Sequence, residues 1–364
     1  MRGGSIRVAL VHDYLVATGG AERVLLSLHR LFPDAPIYTS MYRPKTTFPE
    51  FRDLDVRTLW PDRLPLDARN YRPMVAAYAM AFEGLDLAGY DLVLSDASGF
   101  AKSAGSAAHR RFCYCYTPPR FIWPCGATSD QVGAVERVGR TLMRPWLRRL
   151  DRRAAARVDR FAVTSRLVQG RVREYYGRDA VVVNPPVETH RFRADLERSD
   201  HLLVVGRLAP YRRFDEAVRA ATALGRRMVV AGSGPDEARL RALAGPTVSF
   251  RGRVSDAELV DLYGRARALV VPGEEDWGLA ALEANASGTP VIAAAVGGSL
   301  ETVVDGHTGV LYPPGTPGAL EAAITRFESL EFEPGRLRDH ALGFSELEFH
   351  RKLMSLVEET VEAA

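Results

Sequence analysis

The sequence predicts an α/β protein made of two doubly wound domains that face each other across a cleft. Short apolar runs alternate with helical patterns along most of the chain, which is typical of parallel sheets covered by helices. The chain has 364 residues, too many for one ordinary hydrophobic core. An N-P-P-V segment at residues 184–187 indicates an extended linker, since proline cannot continue the interior of a strand.

The composition is that of a globular protein without a nucleic-acid partner. Apolar residues make up 46% of the chain and charged residues 26%, both ordinary values. The formal net charge of +3 is too small to indicate nucleic acid. Nearly all of the 48 cations are arginines, which suit bidentate contact with phosphate.

The cysteines and the first apolar run indicate in which cellular compartment the protein is expected. Three cysteines, Cys113, Cys115 and Cys125, cannot all pair within the chain, so reduced cytosolic thiols are expected. Arg7 interrupts the first apolar run, and no apolar stretch approaches the roughly 18 to 20 residues of a membrane span. We therefore expect a cytoplasmic protein without a signal peptide.

The N-terminal domain is predicted to cover residues 1–190. Its strand-like runs are expected at residues 6–11, 37–40, 56–60, 92–95, 111–116, 161–164 and 180–183. The pair Gly19 and Gly20 precedes a helix that begins at Ala21, and permits a tight turn or the close approach of a ligand. Asp53 and Asp55 have a D-x-D spacing but no supporting ligands, so no metal is expected there.

The first domain also contains a long helical pattern that is rich in arginine. Nine arginines lie between residues 137 and 160, interleaved with apolar residues, and Pro145 should kink or split the helix. Two interpretations of the helix 137–160 stay open. It is either a solvated basic face or a contact for anionic lipid or an anionic acceptor, which would place the protein peripherally at the inner face of a membrane.

The C-terminal domain is predicted to cover residues 191–344. Its strands are expected near residues 201–206, 228–231, 248–251, 269–271, 291–294 and 310–312. Its helices are expected near residues 213–224, 236–244, 255–265, 278–286, 298–304 and 316–328. A last helix within residues 345–364 has no strand after it, so we expect it to pack back on the first domain.

The stretch from residue 268 to residue 290 carries the strongest functional signal. A buried strand is followed by an acidic loop that contains Glu275, and by a helix that Gly278 opens. The unpaired amides of Gly278 and Leu279 favour an anion. Glu283 lies about 7.5 Å further along the helix, roughly the step from a pyrophosphate to a ribose. The segment therefore predicts one wall of a nucleotide site.

Two arginines complete the predicted anion site. Arg207 and Arg212 follow the first strand of the second domain, and would face the helix that begins at Gly278. Two cations at this edge would neutralise a pyrophosphate leaving group.

Together these segments resemble the retaining glycosyltransferases of family 4, also called group 1. The run E-E-D-W-G-L-A-A-L-E-A is similar to the E-x7-E signature of that family, with Glu275 and Glu283 as its two glutamates. Further segments follow the family's order: H-D-Y-L…G-G-A-E-R-V, N-P-P-V, V-G-R-L-A-P-Y-R-R-F-D and G-G-S-L-E-T-V-V-D-G-H-T-G-V-L-Y. The resemblance implies the GT-B fold of two Rossmann-like domains. It also implies transfer from a nucleoside diphosphate sugar to a hydroxyl acceptor, with retention and without a metal or other cofactor.

The same resemblance implies roles for the catalytic residues. Glu275 would bond the sugar hydroxyls, while Arg207 and Arg212 would bind the diphosphate and stabilise the leaving oxygen. The family usually has Lys where Arg212 stands, and Arg brings a planar fork instead of a point charge. The transfer would proceed by front-face substitution, with the leaving diphosphate accepting the proton of the acceptor hydroxyl.

The remaining site residues are implied to bind the donor. Glu283 would hold the ribose, and the amides of Gly278 and Leu279 the phosphates. The other residues expected at the donor are Gly19, Gly20, Tyr116, Val254, whose backbone would meet the base, and Asp276. The Gly19–Gly20 loop would also border the acceptor.

Tyr116 is the largest departure from the family pattern. Relatives have C-H-T-P where this chain has C-Y-T-P, and the family's His lies against the sixth carbon of the donor sugar. Tyr keeps a hydroxyl but loses a chargeable imidazole. We expect a donor without an ordinary 6-hydroxyl, such as a deoxysugar, and the alternative is loss of activity.

Other classes and pathways stay open. A sugar-nucleotide epimerase on the same fold would convert the donor without an acceptor, and a degenerate transferase would only bind a partner protein. Within the transferase interpretation, the acceptor is either a lipid-linked or envelope glycan or a small soluble metabolite.

Overall fold

The computed structural model describes residues 6–63, 75–106, 109–124 and 134–362, with the backbone alone for residue 75 and residues 134–142. Cys125, which was counted above, lies outside the described residues. The chain divides into two compact units. Among the described residues, the first unit contains the chain up to residue 184 together with residues 349–362, and the second contains residues 185–348.

The first unit contains a seven-stranded parallel sheet. Its strands are β1 Val8–His12, β2 Ile37–Thr39, β3 Val56–Thr58, β4 Leu92–Ala97, β5 Arg110–Cys115, β6 Arg160–Val163 and β7 Val181–Val182. They lie in the order β3-β2-β1-β4-β5-β6-β7. The central strands are buried throughout their length, as expected for a parallel sheet covered on both faces.

In the described part of the first unit, four helices follow these strands. They are α1 Gly20–Leu31, α2 Val75–Glu83, α3 Ala134–Ala156 and α4 Arg166–Tyr176. Helix α1 is amphipathic and buries Val24, Leu25 and Leu28. Helix α4 shows both end signals, because the hydroxyl of Ser165 accepts from the Val168 amide at 3.2 Å and Gly177 ends the helix in a left-handed conformation.

The second unit contains a six-stranded parallel sheet. Its strands are β8 Leu202–Val205, β9 Met228–Ala231, β10 Val248–Gly252, β11 Ala268–Val271, β12 Val291–Ala294 and β13 Gly309–Tyr312. They lie in the order β10-β9-β8-β11-β12-β13. The predicted α/β class with two doubly wound parallel sheets is therefore confirmed.

Seven helices accompany the second sheet. They are α5 Phe214–Ala223, α6 Glu237–Leu243, α7 Asp256–Arg265, α8 Leu279–Ala286, α9 Ser299–Thr302, α10 Ala319–Glu328 and α11 Pro334–Leu342. Helix α7 begins with a full capping box, in which Ser255 and Glu258 each bond the other's backbone amide. None of the helices in the described part of the chain combines the length and the hydropathy that a membrane crossing requires.

The last helix, α12 Glu346–Glu362, joins the first unit from residue 349 onward. Phe349, Leu353 and Val357 are buried in the same core as β1 and α1. The His350 Nε2 atom lies 2.9 Å from the hydroxyl oxygen of Ser27, which fixes α12 beside α1.

The structure corrects the predicted Arg-rich helix at its end and at its proline. Helix α3 ends at Ala156, and Arg160 already belongs to β6, because the following apolar residues complete the sheet. Pro145 does not split the helix, which continues through it, and the other predicted outcome, a kink, stays a prediction. Pro145 is exposed, so water can bond the carbonyl group that loses its helical partner. The side chains of Arg137 and Arg140 lie outside the described residues.

Strand order fixes where each unit can bind a ligand. In the first sheet the order reverses between β1 and β4, and in the second between β8 and β11. The loops leaving the carboxyl ends of such strand pairs run to opposite faces and open a crevice. The loops after β1 and β4, and those after β8 and β11, are therefore where functional residues should be sought.

A buried polar network ties α3 to α4 and to the segments that follow β4 and β5. The Lys102 ammonium lies 2.5 Å from a carboxylate oxygen of Asp151, and both side chains are almost fully buried. The other oxygen of Asp151 accepts from the Trp123 indole at 2.6 Å and from the Tyr176 hydroxyl at 2.7 Å. Burial opposes the charge on Lys102, but Asp151 outweighs burial, and the pKa of Lys102 is raised.

We expect Lys102→Met to lower the free energy of unfolding by about 3 to 5 kcal/mol, because it leaves the Asp151 carboxylate uncompensated in the core. Urea denaturation measures this change. The control is Arg265→Met, which removes an exposed pair with Asp261 and should cost less than about 1 kcal/mol. Equal losses in the two variants would contradict an anchoring role for Lys102.

Candidate functional site

The loops after β8 and β11 in the second unit pack backbone against backbone. A Cβ atom at Gly273, just after β11, would lie 2.7 Å from the carbonyl oxygen of Arg212. Only glycine allows this approach, since a side chain would displace the loop that carries Arg212. The two predicted loops are therefore joined at the switch point of the sheet.

Arg212 and Glu275 form an ion pair at this junction. The guanidinium contacts the carboxylate directly, and both side chains are largely buried, with 24% and 15% of their surface exposed. The Nε atom of Arg212 is buried without a hydrogen-bond partner among the described residues, so it can still donate to a ligand. Arg207 is exposed, five positions earlier in the same loop.

Helix α9 holds the acidic loop in place. The Gly298 amide donates to the Glu275 carbonyl oxygen at 2.8 Å. A Cβ atom at Gly298 would collide with the carbonyl oxygen of Trp277, so glycine is required here too. The backbone on both sides of Asp276 is thereby fixed, and Asp276 itself is half-buried within that loop.

Helix α8 presents its N-terminus at the same edge. Gly278 is the N-cap in a left-handed conformation with φ 92°, and Leu279 is the first helical residue. Amides of this first turn point out of the helix, where its dipole favours an anion. The predicted anion position and the Arg212–Glu275 pair thus lie on neighbouring loops of one unit.

Glu283 is oriented by a residue that the sequence did not reveal. The hydroxyl of Tyr263, on α7, donates to the Glu283 carboxylate at 3.0 Å. Tyr263 is fully buried, and burial together with the charge of Glu283 raises its pKa well above the usual range, so it remains a donor. Val254 lies in the connection between β10 and α7, half-buried against the same core.

In the first unit, the carboxylate of Glu22 lies against the Gly19–Gly20 turn. Gly19 is the N-cap of α1 and Gly20 its first residue. A Cβ atom at Gly19 would lie 2.8 Å from a carboxylate oxygen of Glu22, which folds back over the helix N-terminus. Glu22 is almost completely buried, with 8% of its surface exposed.

Tyr116 is tied to α1. Its hydroxyl donates to the Ala21 carbonyl oxygen at 3.1 Å, and its ring meets Tyr114 edge-on at 5.5 Å. The side chain thus packs within the first unit, and its hydroxyl is already engaged. The expectation that Tyr116 contacts the donor sugar stays a prediction.

His12 and Asp96 form a buried pair at the switch point between β1 and β4. The two residues are partners in the strand register, and the His12 Nδ1 atom lies 3.2 Å from Asp96 Oδ2. Burial opposes protonation of His12, but Asp96, Glu22 and Asp13 outweigh it and raise the pKa of His12 to about 9. Burial raises the pKa of Asp96 and of Glu22.

The residues that sequence reasoning missed are Tyr263, His12, Asp96 and Glu22. His12 and Asp96 could have been found, because polar residues at the carboxyl ends of predicted central strands meet at one edge. Glu22 could also have been found, since it is the third residue of a helix that starts at a glycine pair. No spacing in the sequence connects Tyr263 with Glu283, which meet only through the packing of α7 on α8.

The raised pKa of His12 makes stability depend on pH. A raised pKa adds stability below the ordinary value of 6.5, and this stability is lost as the pH rises through about 9. We expect the difference in unfolding free energy between the wild type and His12→Gln to shrink by about 3 kcal/mol from about pH 6 to about pH 10. Urea denaturation across this range measures it, and a difference that is constant or grows with pH would contradict a charged His12.

Comparisons with known proteins place this chain in a family. The family model described as "Glycosyltransferase Family 4" matches residues 18–191, and the one described as "Glycosyl transferases group 1" matches residues 187–341. A glycogen synthase of Mycobacterium tuberculosis is 32% identical over 221 residues, which are 56% of this chain and 50% of that protein. D-inositol 3-phosphate glycosyltransferase 2 of Catenulispora acidiphila is 36% identical over 198 residues, 45% of this chain and 46% of that protein. The chain thus spans about half the length of these curated relatives.

Solved structures show the same fold over the whole chain. Sucrose-phosphate synthase from Thermosynechococcus elongatus has a TM-score of 0.76 at 19% identity, and the match covers 98% of this chain and 100% of that one. HepE of Anabaena, solved in complex with UDP, has a TM-score of 0.73 at 15% identity, with 97% and 100% covered. At this identity the likeness shows the GT-B fold alone. Because the two family models together match residues 18–341, this chain belongs to the group 1 glycosyltransferases of family 4.

Proposed function

We propose that this protein transfers a sugar from a nucleoside diphosphate sugar to a hydroxyl acceptor, with retention at the anomeric carbon and without a metal ion. The observation that carries the proposal is the Arg212–Glu275 pair, held at the switch point of the second unit beside the N-terminus of α8. Cations and a helix N-terminus suit a diphosphate, and a carboxylate suits the hydroxyls of a sugar.

The diphosphate would be held by three kinds of donor. Arg212 offers its unpartnered Nε atom, Arg207 offers an exposed guanidinium, and α8 offers the amides of Gly278 and Leu279. Because charge develops on the leaving oxygen, donors fixed before the reaction stabilise the transition state without reorganising. The arginines supply the positive charge that a metal would supply in a metal-dependent transferase.

Glu275 and Glu283 would bind the sugar and the ribose of the donor. Binding of a diphosphate draws Arg212 away from Glu275, and the freed carboxylate then accepts hydrogen bonds from the sugar. Glu283, oriented by the hydroxyl of Tyr263, would accept hydrogen bonds from the ribose hydroxyls. The backbone near Val254, just before α7, would contact the base.

The chemical step we propose is front-face substitution. The bond between the anomeric carbon and the diphosphate oxygen breaks, and its electron pair leaves with the diphosphate. The acceptor oxygen bonds to the same face of the carbon, which retains its configuration. The acceptor's proton passes to the leaving diphosphate oxygen, so no protein base is required. HepE has been solved with UDP-glucose, which makes UDP-sugars the first donors to test.

We expect Glu275→Gln to lower kcat with the best UDP-sugar on the order of 10²-fold, because the amide loses the charge that orients the sugar and pairs with Arg212. Release of UDP measures turnover, with and without acceptor. Glu331→Gln is the matched control, since Glu331 is an exposed acid of the same unit. Conversion of the donor into another sugar nucleotide without acceptor would instead indicate an epimerase, and absence of any donor turnover would indicate a non-catalytic protein.

For the acceptor we propose a membrane-associated glycan or lipid, with α3 as the contact. Met143 and Trp146 are exposed on this helix, at 44% and 43%, although apolar residues of this size are usually covered. Arg149 and Arg153 follow Trp146 at helical spacing and are also exposed. A face with an aromatic residue and basic residues suits the interface of an anionic membrane. The protein would then act from the cytoplasm at the inner face of that membrane.

We expect the wild type to sediment with vesicles that contain phosphatidylglycerol and not with neutral phosphatidylcholine vesicles. Arg149→Gln with Arg153→Gln should weaken this binding about 30-fold, at about 1 kcal/mol for each basic residue. The control pair Arg265→Gln with Arg267→Gln removes equally exposed charges from the second unit. Binding that resists both substitutions and added salt would contradict an electrostatic contact through α3.

A further inference from the structure

A cavity in the second unit lies apart from the loops of the proposed donor site. It has a volume of about 470 Å³, opens to solvent, and is lined by residues 192–195 and by Pro334, Gly335 and Arg338. None of the residues proposed to hold the donor lines it. A volume of this size can hold a small metabolite, and the proposed transfer assigns it no ligand.

The end of α8 brings the two walls of this cavity together. A Cβ atom at Gly288, just after α8, would lie 2.9 Å from the Cβ atom of Pro334 and 3.1 Å from that of Ala194. Glycine is favoured here for a second reason, since its φ is positive at 69°. Because α8 has eight residues and is about 12 Å long, the cavity is remote from Gly278 at the other end of that helix.

Arg338 is the main cation of the cavity. Its Nη1 atom donates to the carbonyl oxygens of Phe192 at 3.0 Å and Ala286 at 2.9 Å, which holds the guanidinium between one wall and the last residue of α8. Its Nη2 atom has only a long contact of 3.5 Å with the Thr189 carbonyl oxygen. Carbonyl groups do not neutralise the charge, and among the described residues no carboxylate forms an ion pair with Arg338. The Nε and Nη2 atoms can therefore donate to an anion.

Arg193 and Asp195 supply the other charges of the cavity. The Nε and Nη2 atoms of Arg193 donate to the two carboxylate oxygens of Asp195, at 3.1 and 2.9 Å. These hydrogen bonds hold the pKa of Asp195 below its usual value, so the carboxylate is ionised and is balanced by Arg193. The Nη1 atom of Arg193 takes no part in this pair. With two cations and one anion among its lining residues, the cavity carries a net positive charge.

This arrangement suits a phosphate group better than a carboxylate. One guanidinium fork satisfies both oxygens of a carboxylate, and Arg193 already forms such a pair with Asp195. A phosphate group has three acceptor oxygens, so it can accept from Arg338 and from the Nη1 atom of Arg193 at once. The oxygens of Asp195 keep lone pairs that can accept from hydroxyl groups beside the phosphate.

We propose that this cavity is a second ligand site, which binds a small phosphorylated polyol or sugar through Arg338 and Arg193. The site does not depend on the transfer function proposed above. Because Arg338 also bonds the last residue of α8, the ligand is connected through it to the helix whose other end we propose for the donor diphosphate.

The test measures binding of glycerol 3-phosphate, inorganic phosphate and acetate to the full chain by isothermal titration calorimetry in saturating UDP, which fills the diphosphate site. We expect both phosphates to bind and acetate not to bind. Arg338→Met should weaken the binding of glycerol 3-phosphate at least about tenfold, since it removes charged hydrogen bonds. Arg193→Gln should weaken it about threefold, because Arg193 is exposed. Arg241→Gln is the matched control and should equal the wild type, since Arg241 is an exposed arginine that pairs with Glu237 on α6.

Wild-type affinity for glycerol 3-phosphate in both Arg338→Met and Arg193→Gln overturns the proposal, as does acetate that binds as tightly as glycerol 3-phosphate. Binding of inorganic phosphate without binding of glycerol 3-phosphate also overturns it, because the site then takes only the free ion. If Arg338→Met does not fold, Arg193→Gln alone decides. The transfer function fails separately, through the absence of a thermal shift with UDP alone, and the two variants still identify the cavity in that case.

Discussion

The site in the second unit depends on two places where backbones touch without a side chain between them. Gly273 lies against the carbonyl group of Arg212, and Gly298 against that of Trp277. These contacts set the distance between the loops after β8, β11 and β12, and therefore the geometry of every charged group that the loops carry. A methyl group at either position would force the loops apart. The charged groups of the site thus owe their positions to two glycines, which let the loops pack backbone against backbone.

This constraint explains what could be predicted from the sequence. The run from residue 268 to residue 290 combines a buried strand, a glycine and a helix in consecutive order, and each has a local signal. The structure places them as β11, Gly278 and α8. Helices α2, α4 and α11 were not expected, because their patterns are short or strongly charged and their positions depend on packing. The end of α3 was misplaced for a related reason, since the charged pattern continues while the backbone turns into β6.

Local sequence patterns could not predict which residues contact each other across the fold. Arg212 and Glu275 were both named from the sequence, but their direct pairing was not, because the two loops are brought together by the order of the sheet. Tyr263 has no functional signal of its own and acquires one only by bonding Glu283. In the first unit, the sequence directed attention to Gly19 and Gly20, while the structure shows that a neighbouring acid occupies the space their missing side chains leave.

The last helix packs in the same core as the first strand, and this contact bears on the order in which the two units fold during synthesis. Phe349, Leu353 and Val357 of α12 complete a core that begins with β1. During synthesis, this part of the first unit's core is therefore completed only after the second unit has been made and α12 has emerged. The second unit, formed by residues 185–348, has no such dependence and can fold as it is synthesised. The half of the molecule that is translated first is thus the half that is completed last.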